Sequence, residues 1–251
     1  MKIVRFKAAG KIRYGAIAGA QIVEYAGTPY DAFRRGRKRY GLKQVVLLTP
    51  VSPSKIVAVG GNYRERQEEL GRAPHADLSI ALKPFSALCG PDDPIILPPQ
   101  SERVDFEGEL AVVIRKRARH VPPERAREYI LGYTCLNDVT ARDLQARGQT
   151  TRAKAFDTFC PIGPCIATDI DPAAAELETY LNGERRQACN TKELVLPVED
   201  IVARVSAVMT LLPGDVLATG TPGGAGPMRP GDRVEIRIDG IGSLTNPVIK
   251  L

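Results

Sequence analysis

The sequence predicts an α+β fold that is mostly β. Short β-branched runs recur along the whole chain, Gly and Pro punctuate them, and a single stretch carries apolar residues at sustained helical spacing. The strands do not alternate with helices as βαβ units would, which argues against a Rossmann or TIM architecture. At 251 residues, 43% hydrophobic and 25% charged, the chain is long enough to bury a sizeable core.

The elements follow in order. Lys2–Phe6, Tyr14–Ala18 and Gln21–Tyr25 read as strands joined by Gly-containing turns. Val45–Leu48 is a further apolar run, and Thr49-Pro-Val-Ser-Pro53 punctuates it. This predicts a small N-terminal β domain over residues 1–52 and a main domain over 53–251. Lys55–Val59 is the next strand, and residues 64–71 are charged and helix-prone. Ser79–Lys83, Asp105–Ile114 and Gly132–Asn137 are strands, with a short helix opened by Pro122-Pro123 before the last. Asn182-Gly183 is a hairpin signal, since both turn positions need positive φ. Val198, Ile201, Val202, Val205, Val208 and Met209 predict one amphipathic helix. Strands follow at Asp215–Thr219, Asp232–Ile238 and Ser243–Val248.

Composition excludes several classes. No apolar run reaches the roughly 20 residues of a membrane span, and the N-terminus lacks a signal-peptide apolar region, so the expected location is the cytoplasm. Five cysteines without a Cys-x-x-Cys argue against a disulfide framework or thiolate zinc site. Two histidines, His75 and His120, exclude a three-histidine metal site within one chain. The net charge of +6 owes five charges to Arg34, Arg35, Arg37, Lys38 and Arg39. A polyanion patch is one reading of that run. Without interleaved aromatics the favoured reading is a solvated loop or helix face, with no nucleic-acid partner.

Chemistry concentrates in three stretches. In Asp105-Phe-Glu-Gly-Glu-Leu-Ala-Val-Val-Ile114, residues i and i+2 of a strand share a face, so Glu107 and Glu109 project together. Two carboxylates in an apolar place require a proton or a cation between them. A wet edge strand explains the spacing equally well. Asp138 is a third carboxylate, and oxygen-only ligands suit Mg²⁺, Mn²⁺ or Ca²⁺. In Asn137–Gln145, a helix from residue 140 would bring Asp138, Arg142 and Gln145 near one face, able to bind a metal and an anion; an Asp cap with a solvated Arg is the alternative. Lys154 is either a buried site cation or a surface residue before an apolar patch. Thr219-Gly-Thr-Pro-Gly-Gly-Ala-Gly226 lacks the Gly-Lys-Ser/Thr ending of a phosphate loop, which leaves a turn whose backbone N–H groups reach a small ligand.

In this order the stretches resemble the fumarylacetoacetate hydrolase family. The likeness runs from Gly60-Gly-Asn-Tyr63 through Lys83-Pro84, Asp105–Glu109, Gly132–Gln145, Lys154–Phe159, Pro161–Pro164, Asn182-Gly-Glu and Leu212–Val216 to Thr219–Gly224, over about residues 53–250. The resemblance implies a layered, mostly β roll and a homodimer. It implies Glu107, Glu109 and Asp138 as metal ligands, for Mg²⁺ or Mn²⁺ above all, with Lys154 beside the metal. It further implies that Arg142, Gln145, Asn62, Tyr63 and the backbone around Gly220 and Thr221 line the substrate site. Family substrates share a 2-oxo acid or its enol, and a chelated enolate leads to C–C hydrolysis, decarboxylation or tautomerisation.

One departure matters. Hydrolytic members carry a His after Asn-Tyr, paired with a Glu three residues on. Here Arg66 holds the His position while Glu69 is kept, and His75 follows nine residues later. A guanidinium cannot take a proton from water near pH 7. The expectation is therefore a metal-dependent isomerase or decarboxylase of 2-oxo or 2-hydroxydienoate dicarboxylates, of the 2-hydroxyhepta-2,4-diene-1,7-dioate isomerase type, in aromatic-acid catabolism. Arg66, Glu69 and Lys154 would be its catalytic residues. The alternative is an acylpyruvate or fumarylpyruvate hydrolase. Residues 62–78, charged and punctuated by Gly71 and Pro74, are expected to form a lid.

Overall fold

The computed structural model describes residues 1–71, 77 and 79–250. The N-terminal strands β1 (Lys2–Ala8), β2 (Lys11–Ala18), β3 (Gln21–Ala26) and β4 (Arg34–Gly41) form an antiparallel meander, each paired with the next. β5 (Val46–Leu48) returns to β1. β4 corrects the reading of Arg34–Arg39 as a loop or helix face. Neither face of this strand is fully covered, so it carries no apolar period, and that period is the signal by which a strand is recognised.

The chain continues through β6 (Ile56–Gly60), α1 (Arg64–Glu69), β7 (Ser79–Lys83), β8 (Leu88–Cys89), β9 (Ile95–Leu97), β10 (Val104–Phe106) and β11 (Gly108–Ile114). A 3-10 turn over Pro123–Tyr129 leads to β12 (Ile130–Asn137), β13 (Thr140–Ala141), α2 (Arg142–Ala146) and α3 (Thr150–Lys154). Then come β14 (Cys160–Ala167), β15 (Glu176–Leu181), β16 (Glu184–Asn190), α4 (Val198–Val208), β17 (Val216–Ala218), β18 (Gly226–Pro227), β19 (Arg233–Ile238) and β20 (Gly242–Lys250). Asn182 and Gly183 make the expected turn between β15 and β16, at φ 55° and 83°.

The largest sheet has twelve strands in the order β4-β3-β2-β1-β14-β12-β11-β17-β6-β7, with β5 on β1 and β8 on β14. β1 pairs with β14, so the N-terminal meander extends the same sheet as the strands that carry the acidic residues. A five-stranded sheet (β16-β15-β19-β20-β9) and a three-stranded one (β13-β10-β18) complete the mostly β architecture.

β11 is buried on both faces, which is why it reads as a continuous apolar run. Leu110, Val112 and Ile114 pack with Phe6, Ile22, Val202 and Ile236, while Ala111 and Val113 face Ile3, Ile56, Ile162 and Val216. α4 lays Val198, Ile201, Val202 and Val205 on the first of these clusters. A third cluster joins Phe106, Val139, Leu144, Ala153 and Phe159, and so anchors β10, α2 and α3 to one another. Burying each Phe there contributes roughly 1.5–3 kcal/mol.

Asp105–Ile114 is not one strand. It breaks at Glu107: Phe106 pairs with Gly226 in the small sheet, and Gly108 pairs with Asn137 in the large one. The Glu107 N–H donates to Asn137 Oδ1 at 2.9 Å, and its carbonyl accepts from the Asp138 N–H at 2.8 Å. Glu107 and Glu109 thus meet at a crossing between two sheets, not as i and i+2 of an unbroken strand.

Candidate metal centre and active site

Glu107, Glu109 and Asp138 each direct a carboxylate oxygen to a common point, these oxygens lying within 4.8 Å of one another, and all three residues are buried. The residue between the glutamates has to be glycine: a Cβ on Gly108 would stand 2.1 Å from Thr179 Oγ1. Gly220, at φ +101°, turns its N–H onto Glu109 Oε2 at 2.7 Å, a backbone conformation that side-chain-bearing residues rarely adopt.

Cations surround the triad. Lys154 Nζ donates to Glu107 Oε2 at 3.0 Å, to Thr140 Oγ1 at 2.8 Å and to Asp138 Oδ2. Lys83 Nζ holds the other Asp138 oxygen at 2.6 Å and also donates to the Val139 carbonyl. Arg142 Nη2 donates to Glu107 Oε1, Nη1 to Gln145 Oε1, and Nε to Asp105 Oδ2 at 2.9 Å.

This distribution separates the two glutamates. Burial alone raises the Glu107 carboxyl, but Lys154 and Arg142 outweigh it and hold Glu107 well below the usual carboxylate range. Among the described residues Glu109 receives a hydrogen bond only from Gly220, so burial, with Asp138 and Glu107 beside it, pushes its carboxyl well above the usual 4.5. Burial lowers the Lys154 ammonium, and Asp138 and Glu107 more than restore it, so it stays charged. The donor set fits a hard divalent cation. Among the described residues it consists of three carboxylates with no Cys or His, and one of them, Glu109, makes no ion pair.

The triad opens onto a cavity of about 420 Å³. Arg66, Arg142, Gln145, Lys154 and Thr221 line it beside the carboxylates, and Ala58, Val59, Leu70, Ile80 and Ala81 form an apolar wall. Arg66, 7% exposed, is held by Glu69 Oε2 at 2.5 Å across one turn of α1. Glu69 itself lies outside the lining, its side chain 42% exposed.

Of the residues expected at the substrate, Arg142, Gln145 and Thr221 line the cavity, whereas Asn62, Tyr63 and Gly220 do not. Asn62 spends its carboxamide on the backbone: Nδ2 donates to the Leu196 and Thr219 carbonyls, and Oδ1 accepts from the Leu196 N–H. It thereby fixes the approach to Gly220. Tyr63 is fully buried and its hydroxyl has no partner among the described residues. His120 sits exposed away from the cavity, and His75 lies outside the described residues, as does the 72–76 part of the expected lid.

Three site residues escaped sequence reasoning: Lys83, Asp105 and Thr140. Lys83 was legible as a lysine closing an apolar strand and as part of the Lys83-Pro84 family stretch, without a role, and it is fully buried there. Asp105, 1% exposed, bridges Arg103 and Arg142.

The fold and the carboxylate triad define a mostly β protein with a buried acidic cluster that could hold a metal ion, and comparison with known families gives the class. The family described as fumarylacetoacetate (FAA) hydrolase C-terminal matches residues 55–249, and Rv2993c-like, N-terminal matches residues 1–50. The chain belongs to the fumarylacetoacetate hydrolase family.

Among its relatives, the mitochondrial oxaloacetate tautomerase Fahd2a of Rattus norvegicus is 42% identical over 220 residues, 82% of this chain and 70% of that protein. The crystal structure of 2-hydroxyhepta-2,4-diene-1,7-dioate isomerase from Mycobacterium marinum superposes with TM-score 0.93 at 44% identity, covering 100% of this chain and 98% of the other. Maleylpyruvate hydrolase from Sphingobium sp. SYK-6, solved with manganese(II) and pyruvate, superposes at 0.82 with 35% identity, covering 100% and 99%. Family members are thus isomerases, tautomerases and hydrolases. No helix among the described residues is long and apolar enough to cross a membrane.

Proposed function

We propose that this protein is a divalent-metal-dependent isomerase or decarboxylase of 2-oxo or 2-hydroxydienoate dicarboxylates, of the 2-hydroxyhepta-2,4-diene-1,7-dioate isomerase type. The observation that carries the reading is Arg66. It lines the cavity, is held by Glu69, and occupies the place where a hydrolytic base would stand with a guanidinium, which is not a general base. Among the described residues no histidine lines the cavity.

Glu107, Glu109 and Asp138 would hold Mg²⁺ or Mn²⁺. That ion supplies Lewis acidity to a 2-oxo acid. Arg142 and Gln145, already hydrogen-bonded to each other, orient the near carboxylate. Lys154 presents an ammonium where negative charge develops on the substrate's oxygen. Arg66 pairs with the far carboxylate, and the apolar wall receives the carbon chain between. Keto–enol conversion moves one proton between oxygen and carbon, and decarboxylation puts a proton on the carbon that loses CO₂; both need stabilised charge on oxygen, and neither needs an attacking hydroxide.

The hydrolytic reading rests on Glu69 and on the maleylpyruvate hydrolase relative, in which a base other than Arg66 would act. Isothermal titration with Mn²⁺ and turnover of a 2-oxo dicarboxylate test the proposal together. Glu109→Gln should lose both while its far-UV circular dichroism stays native. Full turnover by the metal-free protein would refute the metal requirement.

A further inference from the structure

Residues 1–50 contain eleven Lys and Arg against two acids, Glu24 and Asp31. From chain totals of 35 and 29, the remaining residues carry 24 basic and 27 acidic side chains. The positive charge of the protein therefore belongs to the N-terminal meander, whereas the catalytic sequence is slightly acidic. Within the meander it peaks on β4, where Arg34, Arg35, Arg37, Lys38 and Arg39 are all exposed.

β4 is the terminal strand of the twelve-stranded sheet, and its outer edge is unpaired among the described residues. None of its five cations makes an ion pair or side-chain hydrogen bond with a described residue. Glu24, the one acid on the neighbouring strand β3, is already taken by Arg13 and Tyr40. Five like charges over about 17 Å of strand, at about 3.3 Å per residue, repel one another. Charge of this density without internal partners is complementary to an external polyanion.

We propose that β4 docks a nucleic-acid backbone through charge alone. About 17 Å of duplex presents about ten phosphates, at one charge per 1.7 Å, enough to meet every cation on the strand. β4 contributes no apolar side chain that could wedge into a lipid surface, and its one aromatic, Tyr40, is turned inward against Phe6. The binding is accordingly indifferent to sequence, a matter of phosphate contacts rather than base readout. It is independent of the catalytic reading, since no residue of β4 lines the cavity.

The test is fluorescence anisotropy with the whole protein and a short mixed-sequence DNA duplex. Five neutralised phosphates give a slope of about −4.5 in log Kobs against log salt, so affinity should fall about 500-fold between 50 and 200 mM salt. Replacing all five cations with Gln should abolish binding while leaving Mn²⁺ affinity unchanged. Arg34→Gln with Arg35→Gln alone should reduce the slope by about 1.8, which keeps the test valid should the fivefold variant fold poorly. Absence of duplex binding at 50 mM salt, or an unchanged slope in the double variant, would overturn the proposal. So would binding to phosphatidylserine vesicles but not to duplex, or a fivefold variant that self-associates while the parent binds no duplex. In that last case the cations serve only to protect a bare sheet edge.

Discussion

Replacing Lys154 with Met removes the central cation of the carboxylate cluster while keeping a side chain of similar length. Lys154 is 5% exposed and bonds two carboxylates and a hydroxyl. Removing one partner of a buried ion pair costs about 3–5 kcal/mol, because the other charge is left uncompensated. Here Lys83 still holds Asp138 and Arg142 still holds Glu107, which places the loss near the lower bound, about 3 kcal/mol. At 2–4 °C per kcal/mol for a chain of this size, the metal-free variant should melt about 6–12 °C below the metal-free parent. Mn²⁺ supplies the missing charge, so it should raise the variant's Tm by more than the parent's. Scanning calorimetry of both proteins, after chelation and after Mn²⁺ addition, measures this. A metal-free variant within about 2 °C of its parent, or one that gains nothing extra from Mn²⁺, would refute the assignment of Lys154 as the internal counter-ion.

The raised Glu109 carboxyl gives a pH dependence. Its folded pKa exceeds the unfolded value of 4.5, so its contribution to metal-free stability is complete below about pH 4.5 and declines as pH rises through the folded value. A bound cation must displace that proton, so Mn²⁺ affinity should rise with pH above 4.5, and titration in buffers of different ionisation enthalpy should detect proton release; pH-independent affinity there would contradict this. Arg66→His restores a base able to pair with Glu69, and it should raise acylpyruvate hydrolysis at least ~10-fold, read as kcat/KM, while weakening KM for dicarboxylates. Asn62→Ala leaves backbone groups of Leu196 and Thr219 unpaired, and should cost about 2 kcal/mol in urea unfolding.

What the sequence revealed depended on whether a local signal existed. The Asn182-Gly183 turn and the amphipathic stripe of α4 have short-range causes, and both were legible, the stripe as far as Val205, beyond which Val208 is exposed and Met209 lies past the helix end. β11 was legible as an apolar run, but the sheet crossing at Glu107 was not, because its cause is pairing with Gly226 and Asn137, far along the chain. β14 escaped for a different reason. It contains Pro161 and Pro164, which count against a strand, yet it pairs with both β1 and β12. At the site, motif order pointed to the three carboxylates, Arg142 and Lys154, and the fold brings these together. Asn62 and Tyr63 lie beneath the cavity lining, which a motif position alone does not reveal, because it does not say whether a side chain faces the cavity or the backbone below it. Lys83 is 55 residues from the Asp138 it holds, a separation at which spacing carries no information.

The proposed chemistry of this cavity is interconversion or decarboxylation of 2-oxo dicarboxylates rather than C–C hydrolysis. The most direct test is kcat/KM of the Mn²⁺-loaded protein on a 2-oxo dicarboxylate, followed by loss of enol absorbance and by CO₂ release, against an acylpyruvate followed by carboxylate release. An isomerase or decarboxylase gives a higher value for the dicarboxylate, lost on chelation. A higher value for the acylpyruvate would contradict it and make the protein a hydrolase whose base is not Arg66.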